Sequence, residues 1–313
     1  MPVELLLIII RGEMASKKEI ICNVCGYDHH LVVFESSNYN KRKKKKYFIT
    51  DNNITPPSKI VRCIRCGHIF VPHGDGADRI ISNYEKMIDE KYVGEEKGRR
   101  VTARCIIKKL SRFKKYGNHL LDVGCSIGFF LDEAKEKGWK VFGVEPSEWA
   151  SHYATEQLNL KVYNTTLENA KLQDNYFNVV VMLDTIEHLL NPGNVLIEIK
   201  RILKPNGILY INTPDVESAA SRILRAKWWG INRYHLHYFS KKTLSKLLTS
   251  VGFRDMKYST YIRTFTLKYW IERCKNYNRF LYNMLLFISK ISNSENKLIQ
   301  VNLRDQIEVF ARK

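Results

Sequence analysis

The chain has 313 residues, 44% hydrophobic and 27% charged, a balance close to that of soluble globular proteins and enough apolar material for a sizeable core. Those figures exclude a disulfide-stapled mini-protein, a chain disordered throughout and a polytopic membrane protein. Lys and Arg number 51 against 32 Asp and Glu, and the net charge of +19 favours an anionic partner: nucleic acid, a phosphorylated small molecule or the acidic face of a membrane.

In chain order, residues 3–10 (VELLLIII) are an apolar run broken by Glu4. The run is far shorter than the roughly 20 residues that cross a bilayer. It has no basic stretch before it and no small-residue cleavage site after it, so no signal peptide is predicted, and Met14 is an alternative start. Residues 16–75 are rich in Cys, His, Lys and turn formers and are expected to form a small module. Within it, residues 41–46 (KRKKKK) read as a solvated basic loop, with nucleic-acid contact as the alternative. Residues 76–118 join the module to the core, and Val101, Cys105, Ile106, Leu110 and Phe113 predict an amphipathic helix over 99–116.

From residue 119 to 313 short apolar strands alternate with helical patterns. Strands are predicted at 119–124, 140–146, 161–164, 176–184, 208–214, 253–261 and 307–313, and helices at 129–138, 147–158, 193–204 and 240–251, the last between a Ser240 cap and a Gly252 stop. Alternation of this kind specifies a mostly parallel sheet with crossover helices. Residues 264–292 interrupt it with an aromatic, basic and helical insert, expected to cover the site or to lie in a membrane interface.

The seven cysteines include two pairs of one form, Cys22-x-x-Cys25-Gly and Cys63-x-x-Cys66-Gly, which fits a reducing compartment such as the cytoplasm and a metal site rather than a disulfide framework. Four thiolates so arranged make a closed tetrahedral zinc site, structural because no position is left for a reacting water. His29, His30, His68 and His73 lie nearby and are read as ordinary surface histidines. Residues 120–131 (LLDVGCSIGFFL) run from a buried strand through a glycine turn into a helix, the geometry that brings backbone close to a cofactor. The next strand ends in VFGVEP, which puts Glu145 where a carboxylate accepts both hydroxyls of a ribose.

With these residues the chain resembles the class I S-adenosylmethionine-dependent methyltransferases, whose first motif is an acid followed by x-Gly-x-Gly-x-Gly. Asp122, Gly124 and Gly128 match, and Ser126 stands for the middle glycine. The nicotinamide dehydrogenases, the rival reading, need a Gly-x-Gly-x-x-Gly spacing that is missing here. The resemblance runs from about residue 84 to the end and implies a Rossmann-like sheet of seven strands. It implies S-adenosylmethionine held by Asp122, Gly124, Cys125, Gly128, Glu145 and Asp184, with Thr166 and Leu167 beside the adenine.

In DTIEHLLNP, residues 184–192, Asp184, Glu187 and His188 are spaced to share one face of a helical turn. The Glu-His pair is similar to that of quinone-precursor O-methyltransferases and small-RNA 2′-O-methyltransferases, where a later histidine helps hold a divalent ion; His237 or His235 is the counterpart. Two mechanisms stay open: His188 or His237 as general base, or Asp184, Glu187, His188 and His237 around Mg²⁺. A zinc-knuckle N-terminus on this core also resembles polysaccharide- and deoxysugar-pathway enzymes. The first expectation for the acceptor is therefore a sugar nucleotide or lipid-linked glycan methylated on oxygen or carbon, with Trp228 and Trp229 covering it. RNA, a quinone precursor and a non-catalytic cofactor-binding role are the alternatives, and peripheral membrane contact is open.

Overall fold

The computed structural model describes residues 20–35, 57, 59–72, 88–275 and 277–313. The apolar run at 3–10, Met14, the basic run at 41–46 and His73 lie outside them. Thirteen strands are described: β1 (His30–Glu35), β2 (Lys59–Cys63), β3 (Ile69–Phe70), β4 (His119–Val123), β5 (Lys140–Val144), β6 (Val162–Tyr163), β7 (Phe177–Leu183), β8 (Leu203–Pro214), β9 (His237–Tyr238), β10 (Arg254–Ser259), β11 (Arg263–Thr266), β12 (Leu298–Val301) and β13 (Gln306–Arg312). The helices are α1 (Glu90–Gly94), α2 (Glu96–Leu110), α3 (Phe129–Glu136), α4 (Glu148–Leu158), α5 (Pro192–Ile202), α6 (Ala219–Leu224), α7 (Lys241–Val251), α8 (Leu267–Cys274) and α9 (Arg279–Ile291).

Seven strands form the main sheet in the order β10–β13–β8–β7–β4–β5–β6, parallel from β8 to β6, with β13 antiparallel to both neighbours. This is the Rossmann-like methyltransferase sheet that the resemblance implies. Its strands read as continuous apolar runs because both faces are covered. Val179 and Val181 of β7 point to the side packed by Ile106, Ile107 and Leu110 of α2, while Val180 and Met182 meet Leu196 and Ile199 of α5 and Leu244 of α7. The period-two alternation of the strand decides which helix each valine meets. Ser240 caps α7 and Gly252 ends it at φ +92, as predicted.

Three features depart from the expectations. Residues 203–207, where the sequence predicts a helix running to 204 and a strand starting only at 208, begin β8, with Asn206 at positive φ and a register irregularity between Phe177 and Val179. The insert contains α8 and α9 but is closed by a ribbon in which β11 pairs with β12. The N-terminal strands form a second sheet, β1–β2–β3–β9, whose last strand comes from residues 237–238, so Cys22, Cys63, Cys66 and Phe70 pack in the same cluster as Phe239 and Leu244.

Candidate active site

Strand order reverses between β4 and β7, and in open α/β sheets the crevice outside the carboxyl ends at that point holds the ligand. The chain after β4 is shaped for close approach. Gly124 has φ +77, and a Cβ there would lie 2.8 Å from Thr185 Cγ2 and Oγ1. Gly128 caps α3 at φ +87, with Leu160 Cδ1 2.6 Å from where its Cβ would be. Ser126, in place of the middle glycine, adopts φ +50, a left-handed conformation that costs an L-residue roughly 1 kcal/mol.

Glu145 directly follows β5 and is 0% exposed. Its Oε2 accepts from the Ser126 amide and its Oε1 from the Ser147 amide, both at 2.8 Å. The carboxylate thus fastens the loop after β4 to the start of α4, whose cap is Ser147. Asp122 is buried beside it, with Oδ1 unpartnered among the described residues. Burial, and then the charge of Glu145, pushes its carboxyl well above the usual range.

A cavity of about 970 Å³ opens over this loop. Gly124, Ser126, Thr166, Leu167 and Asp184 line it; Asp122, Cys125, Gly128 and Glu145 are not in its lining. The Cys125 thiol packs against Gly143 in the core, so its side chain does not reach the predicted cofactor face. Residues with no motif also line the cavity. Arg99 of α2 sits 3.4 Å from the Tyr92 ring centroid with a buried, unpartnered Nε, and Tyr92 is hydrogen-bonded to Ser126. Nothing in the sequence marked Arg99 beyond a basic helix.

At the other end, Glu187 and His188 lie on the short 3₁₀ turn Ile186–His188. Thr213 Oγ1 donates to Glu187 Oε2 at 2.9 Å, whereas Oε1 is buried without a partner among the described residues. Burial, followed by the charge of Asp184, drives this carboxyl well above its ordinary value. His188 Nδ1 donates to the Tyr234 carbonyl and His235 Nδ1 to the Gly230 carbonyl, each at 2.8 Å, which leaves the lone pair on Nε2 of both rings. Removal from water lowers the His188 pKa to about 4. One ligand atom from each of Glu187, His188 and His235 falls within 4.8 Å of the others.

Four expectations are corrected here. His237 does not line the cavity: pairing of β9 with β3 sets it opposite Phe70, and its Nδ1 lies 3.1 Å from His68 Nε2. His235 takes the place foreseen for it. Asp184 lines the cavity but has φ +50, which ends the helical spacing, and its Oδ1 accepts from Gln306 Nε2 at 3.0 Å rather than joining the cluster. His68, read as a surface residue, is fully buried. Of the two tryptophans, Trp229 lines the cavity and Trp228 is buried behind Gly230.

A family model described as a methyltransferase domain matches residues 96–258. The chain belongs to that family. The ubiquinone biosynthesis O-methyltransferase of Haemophilus ducreyi is 32% identical over 108 residues, 31% of this chain and 46% of that protein. The protein of the same name from Maricaulis maris is 32% identical over 133 residues, covering 38% and 52%. The chain spans about half the length of the curated relatives it matches. A solved SAM-dependent methyltransferase from Archaeoglobus fulgidus is 23% identical, over 72% of this chain and all of that one, with a TM-score of 0.48, too distant to decide anything.

Away from the methyltransferase cavity the four predicted cysteines meet. Cys22 and Cys66 sulfurs are 3.6 Å apart and those of Cys25 and Cys63 3.5 Å, with all four within 4.8 Å. Tetrahedral zinc with Zn–S bonds of about 2.3 Å has sulfur–sulfur edges of about 3.8 Å, so the cluster is compatible with a small zinc site.

Proposed function

We propose that this protein is an S-adenosylmethionine-dependent O-methyltransferase whose acceptor is a small hydroxylated aromatic of the quinone-precursor kind. The observation that carries the reading is a single cavity lined at one end by the Gly124 loop, which Glu145 fastens from behind, and at the other by Glu187, His188 and His235. The names of the curated relatives favour a quinone precursor over the sugar nucleotide, lipid-linked glycan or RNA. Aromatic walls support it too: Trp229, Tyr234, Tyr261, Phe265 and Trp270 line the acceptor side, surfaces suited to a flat ring with an apolar tail.

The residues present fit an adenosyl cofactor. A Cβ at Gly124 would fill its cradle, Glu145 holds the loop that carries Ser126 in the cavity wall, and Arg99 offers an unpartnered Nε–H. When bound, the cofactor supplies a methyl group already activated on sulfur. The chain's own task is alignment of the acceptor oxygen and removal of its proton. His188, neutral because its pKa is depressed and oriented by the Tyr234 carbonyl, presents Nε2 as the proton acceptor. Glu187 and His235 stand beside it. The same three side chains would hold a divalent cation, which would supply Lewis acidity at the acceptor oxygen. Two imidazoles and one carboxylate suit Mn²⁺, Fe²⁺ or Zn²⁺ better than the Mg²⁺ expected from the resemblance. The four-cysteine cluster would hold structural zinc in the module at residues 16–75.

The test is incubation of purified protein with deuteromethyl-labelled cofactor, each dication in turn, and a catechol carrying a short isoprenoid tail. A labelled aryl methyl ether, formed fastest with Mn²⁺, is the expected product. Labelling of a sugar nucleotide with none of the catechol overturns the proposal.

A further inference from the structure

The helix α9 is turned inside out relative to an ordinary soluble helix. Ser289 is its buried residue, while Phe280, Leu281, Met284, Phe287, Ile288 and Ile291 are exposed, Phe280 by 78%, Phe287 by 66% and Ile291 by 72%. These six recur at i, i+1, i+4, i+7, i+8 and i+11, one unbroken stripe along the helix. A contiguous apolar face of this kind, left to water, forfeits the hydrophobic free energy that folding normally captures.

The surroundings of the stripe indicate what covers it. From Glu272 to Lys297 the sequence holds five basic residues, Arg273, Lys275, Arg279, Lys290 and Lys297, against two acidic ones, Glu272 and Glu295. Lys275, Arg279 and Lys290 are exposed at the two ends of the stripe, with exposed Lys297 just beyond. Two copies of the chain meeting face to face would bring these basic rims together, which charge repulsion opposes. An anionic surface complements them.

The same hairpin also walls the cavity. Helix α8 packs on α9 and contributes Tyr269, Trp270 and Arg273 to the lining, Tyr277 joins them from the link between the two helices, and Leu303, 47% exposed, lines it as well. The outer side of the insert is thus a basic-rimmed apolar face and its inner side the wall of the acceptor site. With 13 residues α9 is too short to cross a bilayer, and no helix among the described residues is long and apolar enough to do so.

We propose that α9 docks on the surface of an anionic lipid bilayer, lying in the interface plane with its six apolar side chains below the headgroups and its basic ends among the phosphates. The inference does not depend on the identity of the methyl acceptor.

The test is sedimentation of the full-length protein with vesicles of phosphatidylcholine alone and with added phosphatidylglycerol, at low and high salt. The protein is expected to follow the phosphatidylglycerol vesicles. The pair Phe280→Ser and Phe287→Ser should lower its partition at least about tenfold, because each phenyl ring contributes apolar area. Neither residue lines the cavity, so cofactor affinity and thermal midpoint should hold, which separates lost docking from lost folding. Equal sedimentation of variant and wild type overturns the proposal and leaves charge alone, for example from the run at 41–46, as the attraction. Absence of vesicle binding together with a dimer that the variant loses overturns it in favour of a second copy.

Discussion

Replacing Glu145 by Gln tests the geometry on which the cofactor site depends. Each Glu145 oxygen accepts one backbone amide at 2.8 Å, from Ser126 and from Ser147. A Gln side chain has one acceptor oxygen, so one amide keeps a weaker, neutral bond and the other faces an NH₂ group. Hydrogen bonds to a charged group are each worth about 1.5–3 kcal/mol, and an orphaned buried donor costs about 1–3 kcal/mol. Loss of the charge also relieves Asp122, whose carboxyl Glu145 helps push up, so part of the cost is offset. The net expectation is destabilisation by about 2 kcal/mol, a fall in thermal midpoint of about 4–8 °C for a domain of this size. The loop that Glu145 fastens carries Gly124 and Ser126 in the cavity lining, so cofactor affinity measured by calorimetry should fall by about 10- to 100-fold as that loop loosens. Glu145→Ala orphans both amides and should be less stable than Glu145→Gln. A Gln variant within about 0.5 kcal/mol of wild-type stability and with unchanged cofactor affinity would refute the reasoning, since the loop would then hold its shape without the carboxylate.

Three further outcomes are expected. His235→Asn should lower turnover at least about 10²-fold with cofactor affinity kept, whereas His237→Asn should keep turnover and lose about 1 kcal/mol of stability through its contact with His68; steady-state kinetics and denaturant unfolding of the two variants decide between them. Asp122 has a folded pKa above its unfolded value of about 3.9, so the stability it contributes is complete below that pH and is lost as pH rises through the folded value. Asp122→Asn should therefore gain stability over wild type between acid and neutral pH, and a difference that shrinks as pH rises speaks against the buried-acid account. Elemental analysis of the purified protein should find one zinc per chain, absent in Cys63→Ser together with a lower thermal midpoint; a Ser variant equally stable and equally metallated removes the zinc reading.

Much of the fold is legible in the chain because its signals are local. The run from Phe177 to Leu183 is apolar on both strand faces, Ser240 and Gly252 bracket one helix, and Gly124 and Gly128 sit where positive φ is needed. The start of β8 misled because Pro-Asn-Gly is a turn signal that the long pairing with β7 and β13 overrode. The ribbon that closes the insert was hidden for a related reason: β11 and β12 are four residues each and lie on either side of two helices.

The amino-acid order alone determined the parallel sheet, the glycine loop answered by Glu145, and the pairing of Cys22 and Cys25 with Cys63 and Cys66, since each rests on spacing within a strand, turn or knuckle. Only the tertiary structure decided which histidine joins Glu187 and His188. His235 and His237 are two residues apart in equivalent company, and the choice falls to the pairing of β9 with β3, a contact between segments about 170 residues apart that turns one ring to the cavity and buries the other against His68. It also brought Arg99 to the cofactor loop and turned the apolar stripe of α9 outward, because burial is a property of what packs against a face and not of the face itself.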